Sequence, residues 1–144
     1  MLFSKACSYA IRASVLVAAK DPDGRREFIP IRELADEVGV SFHFLTKILR
    51  KLTEASIMES FRGPNGGVGL IRPARQVSVI DIVAAIDGMG LFEGCALGLP
   101  QCSEKNPCPL HAAWKKRRED LKSMLTRTSL AELAGGRTIS AKRK

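Results

Sequence analysis

"IRELADEVGVSFHFLTKILRKL" (residues 31–52) decides the fold. Pro30 stands just before it, with a φ already set for a helix start. "IRELADEV" has helical spacing, and Gly39 ends it where a left-handed residue is wanted. Ser41 follows, and its hydroxyl can cap a second helix over roughly residues 42–55. That helix gathers Leu45, Ile48, Leu49 and Leu52 on one face. Two helices joined by a tight turn at Gly39-Val40 form a helix-turn-helix.

The flanking sequence completes a winged domain. In "IMESFRGPNGGVGLIRP" (57–73) two short extended runs enclose Gly63-Pro64-Asn65-Gly66-Gly67, which predicts a β-hairpin wing. "SVID" (78–81) has the Ser-x-x-Asp form of a capping box, and the apolar run Ile82 to Ile86 follows it. Upstream, residues 4–19 read as a helix with Ala6, Ala10, Ala13 and Val17 along one side, and "KDPDGRRE" (20–27) reads as a loop.

Downstream, residues 88–109 form a Gly- and Pro-rich loop that carries three of the four cysteines. "LHAAWKKRREDLKSMLTR" (110–127) returns to helical spacing, with Leu110, Ala113, Trp114, Arg117, Leu121, Met124 and Leu125 near one stripe. A short helix "SLAELA" ends at Gly135-Gly136. The expected organisation is therefore mainly α: a winged helix-turn-helix over 1–88, a cysteine loop over 89–109, a long helix and a short final helix over 110–134, and a flexible basic tail over 135–144.

Lys and Arg outnumber Asp and Glu by 23 to 15, a net charge of +8 in 144 residues. That balance favours an anionic partner, nucleic acid ahead of a membrane surface. Arg12 interrupts the N-terminal apolar run and no spanning stretch is visible, so a cytoplasmic protein without membrane attachment is expected. In a reducing cytosol, clustered cysteines are metal ligands or redox sensors more often than structural disulfides.

The second helix of a helix-turn-helix lies in the major groove of double-stranded DNA. Its outward positions here are Ser41, His43, Thr46, Lys47 and Arg50, polar or cationic opposite the Leu/Ile face. On the wing, Arg62 suits a narrow minor groove, and Gly66 and Gly67 allow close backbone approach. The run "KKRR" (115–118) points in several directions around a helix and reads as a solvated face or interface rim; Trp114 reads as packing. Neither a catalytic dyad nor a phosphate loop is present, so an enzyme is not expected.

These stretches together resemble the Rrf2 family of winged-helix regulators, in particular its iron–sulfur-dependent, IscR- and NsrR-like branch. "KACSYAIRA", "IRELADEVGVSFHFLTKILRKL", "SFRGPNGGVGL", "SVIDIVAAIDG" and "CPLHAAW" carry the resemblance, which covers most of residues 1–118. It implies a homodimer built on the helix after the cysteine loop, binding a palindromic operator, most simply as a repressor. It also implies base contacts from His43, Thr46 and Lys47, and Arg62 in the minor groove.

Six residues separate Cys95 from Cys102, and five separate Cys102 from Cys108. The C-x2-C pairs of common zinc modules are missing. Thiolates suit iron–sulfur clusters, and an irregular loop can wrap one. The resemblance implies that Cys95, Cys102 and Cys108 hold a two-iron or four-iron cluster. It leaves the fourth ligand open: His111 first, then Cys7, a small thiol or water. The position where some relatives place a partner-subunit acid is Ser8, a poor ligand. The cluster would sense redox state, nitric oxide or iron supply. Two other readings remain: a cluster-free regulator working by thiol–disulfide exchange or through a partner protein, and a small iron–sulfur electron carrier.

Overall fold

The computed structural model describes residues 2–23, 25 and 27–136; the expected tail beyond Gly136 lies outside the described residues. Helix α1 (Lys5–Lys20) starts at Ser4, whose Oγ accepts from Cys7 N at 3.0 Å. Ser4 itself is held by the Asp87 carboxylate, which accepts from its backbone N at 3.0 Å and from its hydroxyl. Residue 12, which breaks the apolar pattern of α1, is a clamp. Arg12 Nη2 donates to the Val38 carbonyl at 3.0 Å, and its guanidinium lies 5.4 Å from the centre of the Tyr9 ring. It thereby satisfies an end carbonyl of α2 (Ile31–Val38) that the helix cannot pair internally.

Gly39 closes α2 in the left-handed region at φ 85°, and Gly39 N donates to Ala35 O at 2.8 Å. Ser41 Oγ then accepts from Phe44 N at 3.1 Å and opens α3 (Phe42–Glu54). The edge-on packing of Tyr9 against Phe44, 5.8 Å between ring centres, ties α1 to the first turn of α3. Leu45, Ile48, Leu49 and Leu52 are buried in the main core, which they share with Leu34, Val38, Val17 and Leu130.

The wing is an antiparallel pair, β1 (Met58–Phe61) and β2 (Gly67–Leu70), in the register Met58 with Leu70 through Phe61 with Gly67. On its other edge β2 exchanges two bonds with Ile29, at 2.9 and 3.0 Å. This contact explains Gly67: a Cβ there would sit 2.1 Å from the Ile29 carbonyl oxygen. Gly67 also has φ 155°, which L residues with a side chain rarely adopt, so close backbone approach and conformation both call for glycine.

A short 3₁₀ turn (Ala74–Gln76), which the sequence pattern does not announce, leads to α4 (Val79–Ile86). The expected capping box is there, with Asp81 Oδ2 accepting from Ser78 N at 3.0 Å. The following segment begins with a helical turn, α5 (Gly90–Glu93), because Phe92 buries its ring beside Cys7, Val79, Val83 and Leu125. The expectation of irregular chain from residue 88 is corrected there and holds from residue 94 to 110.

Helix α6 (His111–Arg127) faces inward through Trp114, Arg118, Leu121 and Leu125, while Ala113 and Arg117 are exposed and Leu110 and Met124 are 46% and 51% exposed. Only part of the anticipated stripe is therefore buried within one chain. The short α7 (Leu130–Ala134) returns to the core through Leu130. Among the described residues, no helix is long and apolar enough to cross a membrane.

The two glycine environments differ enough to test. Gly67→Ala must push the Ile29 backbone aside and is expected to cost about 3 kcal/mol, the upper end of overpacking penalties. Gly90→Ala meets nothing within 4 Å and should change stability by less than about 0.5 kcal/mol. Urea unfolding of the two variants beside the parent checks the pair.

Candidate functional site

Two regions carry chemistry. The first is a groove of about 500 Å³ between α3 and the wing. Thr46, Arg50, Arg62, Gly66 and Gly67 from the predicted set line it. Ser41, His43 and Lys47 are exposed on the same helix but lie outside that groove lining. The Ser41 oxygen is occupied as a cap, which leaves its hydrogen to donate outward. Thr46 donates its hydroxyl back to Phe42 O at 2.7 Å, so it can only accept from a base edge unless that bond breaks. Gly67 is buried under the Ile29 backbone, so its missing side chain serves strand pairing.

Arg32 was not singled out from the sequence, yet it also lines the groove, with its guanidinium 4.9 Å from the Phe42 ring centre. With Arg50 and Arg62 it gives the groove three guanidinium groups, side chains of the kind that suit a phosphate backbone. Its position as the second residue of α2, directly behind the recognition helix, was the available signal.

The second region is the cysteine loop. The Sγ atoms of Cys95, Cys102 and Cys108 all lie within 4.8 Å of one another, and none is in a disulfide. Cys95 and Cys108 are 3.6 Å apart. Two thiolates on one tetrahedral metal, with bonds near 2.3 Å, would stand about 3.8 Å apart. Backbone N–H groups point at the sulfurs: Leu97 N at 3.4 Å from Cys95 Sγ, and Cys108 N at 3.4 Å from Cys102 Sγ. His111 opens α6, and its Nδ1 lies 3.3 Å from Cys102 Sγ. On the far side of the ring, Nε2 approaches Glu104 Oε1 at 3.2 Å, and Lys115 Nζ holds the same oxygen at 2.7 Å. The Nε2–Glu104 contact lacks hydrogen-bond geometry, so Nε2 is buried without a hydrogen-bond partner among the described residues. Three sulfurs therefore converge, with one imidazole nitrogen beside the Cys102 sulfur, and three thiolates are donors of the kind that hold an iron–sulfur group.

Electrostatics separates the cysteines. Hydrogen bonds from the Leu99 and Leu97 backbone lower the Cys95 thiol to about 7. At Cys102 the Cys108 N–H pulls the same way, but desolvation and the neighbouring sulfurs of Cys108 and Cys95 outweigh it and raise that thiol. Cys7 is elsewhere: it is fully buried beside Val79, Val83 and Phe92, and burial, with Asp87 nearby, pushes its thiol up to about 12. Its surroundings are those of a small apolar side chain. Ser8 is half-buried on α1.

The charge run 115–118 divides. Lys116 and Arg117 are solvated as expected. Arg118 instead donates to the carbonyls of Gly94 at 2.9 Å and Glu93 at 3.3 Å. Trp114 Nε1 donates to the same Gly94 oxygen at 2.9 Å. A sequence shows helical spacing but not which face a loop will choose, so these two roles were not legible.

A family model described as "Iron-dependent Transcriptional regulator", Rrf2, matches residues 3–136. The chain belongs to the Rrf2 family. It is 38% identical over 117 residues to the protein aau3 of Rhizobium meliloti, covering 81% of this chain and 73% of that one. It is 29% identical over 131 residues to the HTH-type transcriptional regulator IscR of Yersinia pestis, covering 91% and 77%. Its fold matches that of CymR, the global cysteine regulator of B. subtilis, with a TM-score of 0.75 at 21% identity over 92% of this chain and 95% of that one. The chain is a winged-helix, DNA-binding transcriptional regulator of this family and not an enzyme.

The thiol electrostatics predict an alkylation order. In reduced, iron-free protein, iodoacetamide should label Cys95 with a rate that rises with pH and levels off above its value of about 7. Cys7, raised to about 12 and buried, should stay unlabelled throughout. Peptide mapping across pH 5 to 9 measures both; equal labelling of the two would contradict the assignment.

Proposed function

We propose that this regulator is a homodimeric repressor whose hold on a palindromic operator is set by an iron–sulfur cluster on Cys95, Cys102, Cys108 and His111. The observation that carries the reading is the convergence of three sulfurs within 4.8 Å, with the Nδ1 of His111 3.3 Å from one of them. The family description and the likeness to IscR support it. When bound, the cluster supplies iron that a diatomic gas, an oxidant or iron scarcity can change. A cleft of about 310 Å³ lined by Leu99, Pro100, Gln101, Cys102, Asn106 and Pro107 gives small molecules a route to the sulfurs. Leu110 and Met124, exposed at the edge of the inward stripe of α6, supply apolar surface for the second subunit. With two subunits, two recognition helices meet successive turns of one DNA face, which calls for a palindrome. Arg32, Arg50 and Arg62 neutralise phosphates beside them, and His43, Lys47 and Thr46 face the base edges.

A second reading has its own observation. The 3.6 Å separation of Cys95 and Cys108, with Cys95 ionised near neutral pH, suits a disulfide made as the two thiols pass two electrons and two protons to a peroxide or a disulfide. The loop would then shorten without any metal.

Protein purified without oxygen separates them. The cluster reading expects coloured protein with iron and acid-labile sulfide, both lost in Cys102→Ala while far-UV circular dichroism is unchanged. Colourless, folded protein that takes up neither after reconstitution would leave the disulfide reading standing.

A further inference from the structure

We propose that Trp114 and Arg118 are positioning residues of the sulfur site: by holding the carbonyls of Gly94 and Glu93 on the long helix, they fix Cys95 opposite Cys108. The inference deepens the sulfur-site reading and rests on it for the site's purpose. Its test uses no iron, so the two can fail separately.

The geometry is specific. The Gly94 oxygen receives Trp114 Nε1 at 2.9 Å and Arg118 Nη1 at 2.9 Å, and Arg118 also reaches Glu93 O at 3.3 Å. The Gly94 carbonyl and the Cys95 Cα belong to one planar peptide unit. Pinning that oxygen from two directions therefore pins Cys95 itself, and leaves only its φ and χ1 to place the sulfur. The bond from Leu97 N to Cys95 Sγ at 3.4 Å restrains what is left. These carbonyls are end carbonyls of α5, which that helix cannot pair internally, so the two donors also meet a local need.

The same face of α6 holds the rest of the loop. His111, Trp114, Lys115 and Arg118 follow the i, i+3, i+4, i+7 spacing of one helix face. Lys115 holds Glu104, between the second and third cysteines, and His111 faces Cys102. Each grip sits at or near a thiol. Buried packing supplies little of this docking, since Leu97 and Leu99 are 54% and 47% exposed. The directional bonds from α6 are what set the sulfur positions.

The test measures the effective concentration of the Cys95–Cys108 pair in reduced, iron-free, full-length protein. A Cys102→Ser background removes the competing thiol. The protein is equilibrated in glutathione buffers without oxygen, quenched with acid, alkylated and weighed. Two protein thiols and one glutathione disulfide give one protein disulfide and two glutathione thiols. Trp114→Phe, which keeps the ring and removes the N–H, is expected to lower the effective concentration about five- to tenfold, the effect of one directional bond, and Arg118→Gln, which removes two, by at least as much. Arg118→Lys should recover part of the loss. Leu121→Ala, which loosens α6 without touching either carbonyl, should leave it within about twofold. Values for Trp114→Phe and Arg118→Gln within about twofold of the parent would overturn the proposal, as would an equal drop in Leu121→Ala.

Discussion

Two backbone hydrogen bonds close the functional half of the molecule. Val79 N donates to Thr128 O at 2.9 Å, and Leu130 N donates to Val77 O at 2.8 Å. They pair the chain entering α4 with the chain leaving α6, through an antiparallel bridge between Ser78 and Ser129. Between them run α4, which packs into the main core through Ile82, and then α5, the sulfur loop and α6, a stretch with both ends fixed. Leu130 plugs the closure, fully buried in the main core where α7 packs on α1 and the Ala74–Gln76 turn.

This closure makes the long helix an arm. Its C-terminal half is held by Leu121 and Leu125 against Cys7, Val79 and Val83. Its N-terminal half is held by the loop, through Trp114, Arg118, Lys115 and His111. In the proposed scheme, anything that draws the three sulfurs together or lets them part changes the restraint on that half alone. The exposed apolar side chains Leu110 and Met124 lie on the same arm, and in that scheme they are where the proposed second subunit would feel the change. Coupling of about 1–3 kcal/mol, typical of allosteric proteins, corresponds to roughly five- to 150-fold in DNA affinity. A few directional bonds at the loop are enough to carry it.

The winged domain was legible because its signals are local. Gly39 and Ser41 each dictate a backbone state, and the Leu45–Leu52 face has a single period. Arg12 was legible only as an interruption, because its partner, the Val38 carbonyl, is distant in sequence. The helical turn Gly90–Glu93 was hidden by glycines, and it forms because Phe92 finds a tertiary pocket beside Cys7. At the sulfur site the residue types named the chemistry, whereas the grip of Trp114, Lys115 and Arg118 depends on how a loop without periodicity lies down. The split of the charge run into two engaged and two solvated residues has the same origin.

In the proposed scheme the sulfur loop controls DNA binding through what it holds. The direct measurement is operator affinity by fluorescence anisotropy, on one oxygen-free preparation before and after iron is stripped with a chelator, at fixed salt. The dissociation constant should change by about tenfold or more, and Cys102→Ala should behave like stripped protein in both samples. Equal affinity before and after stripping, with iron loss confirmed, would contradict it.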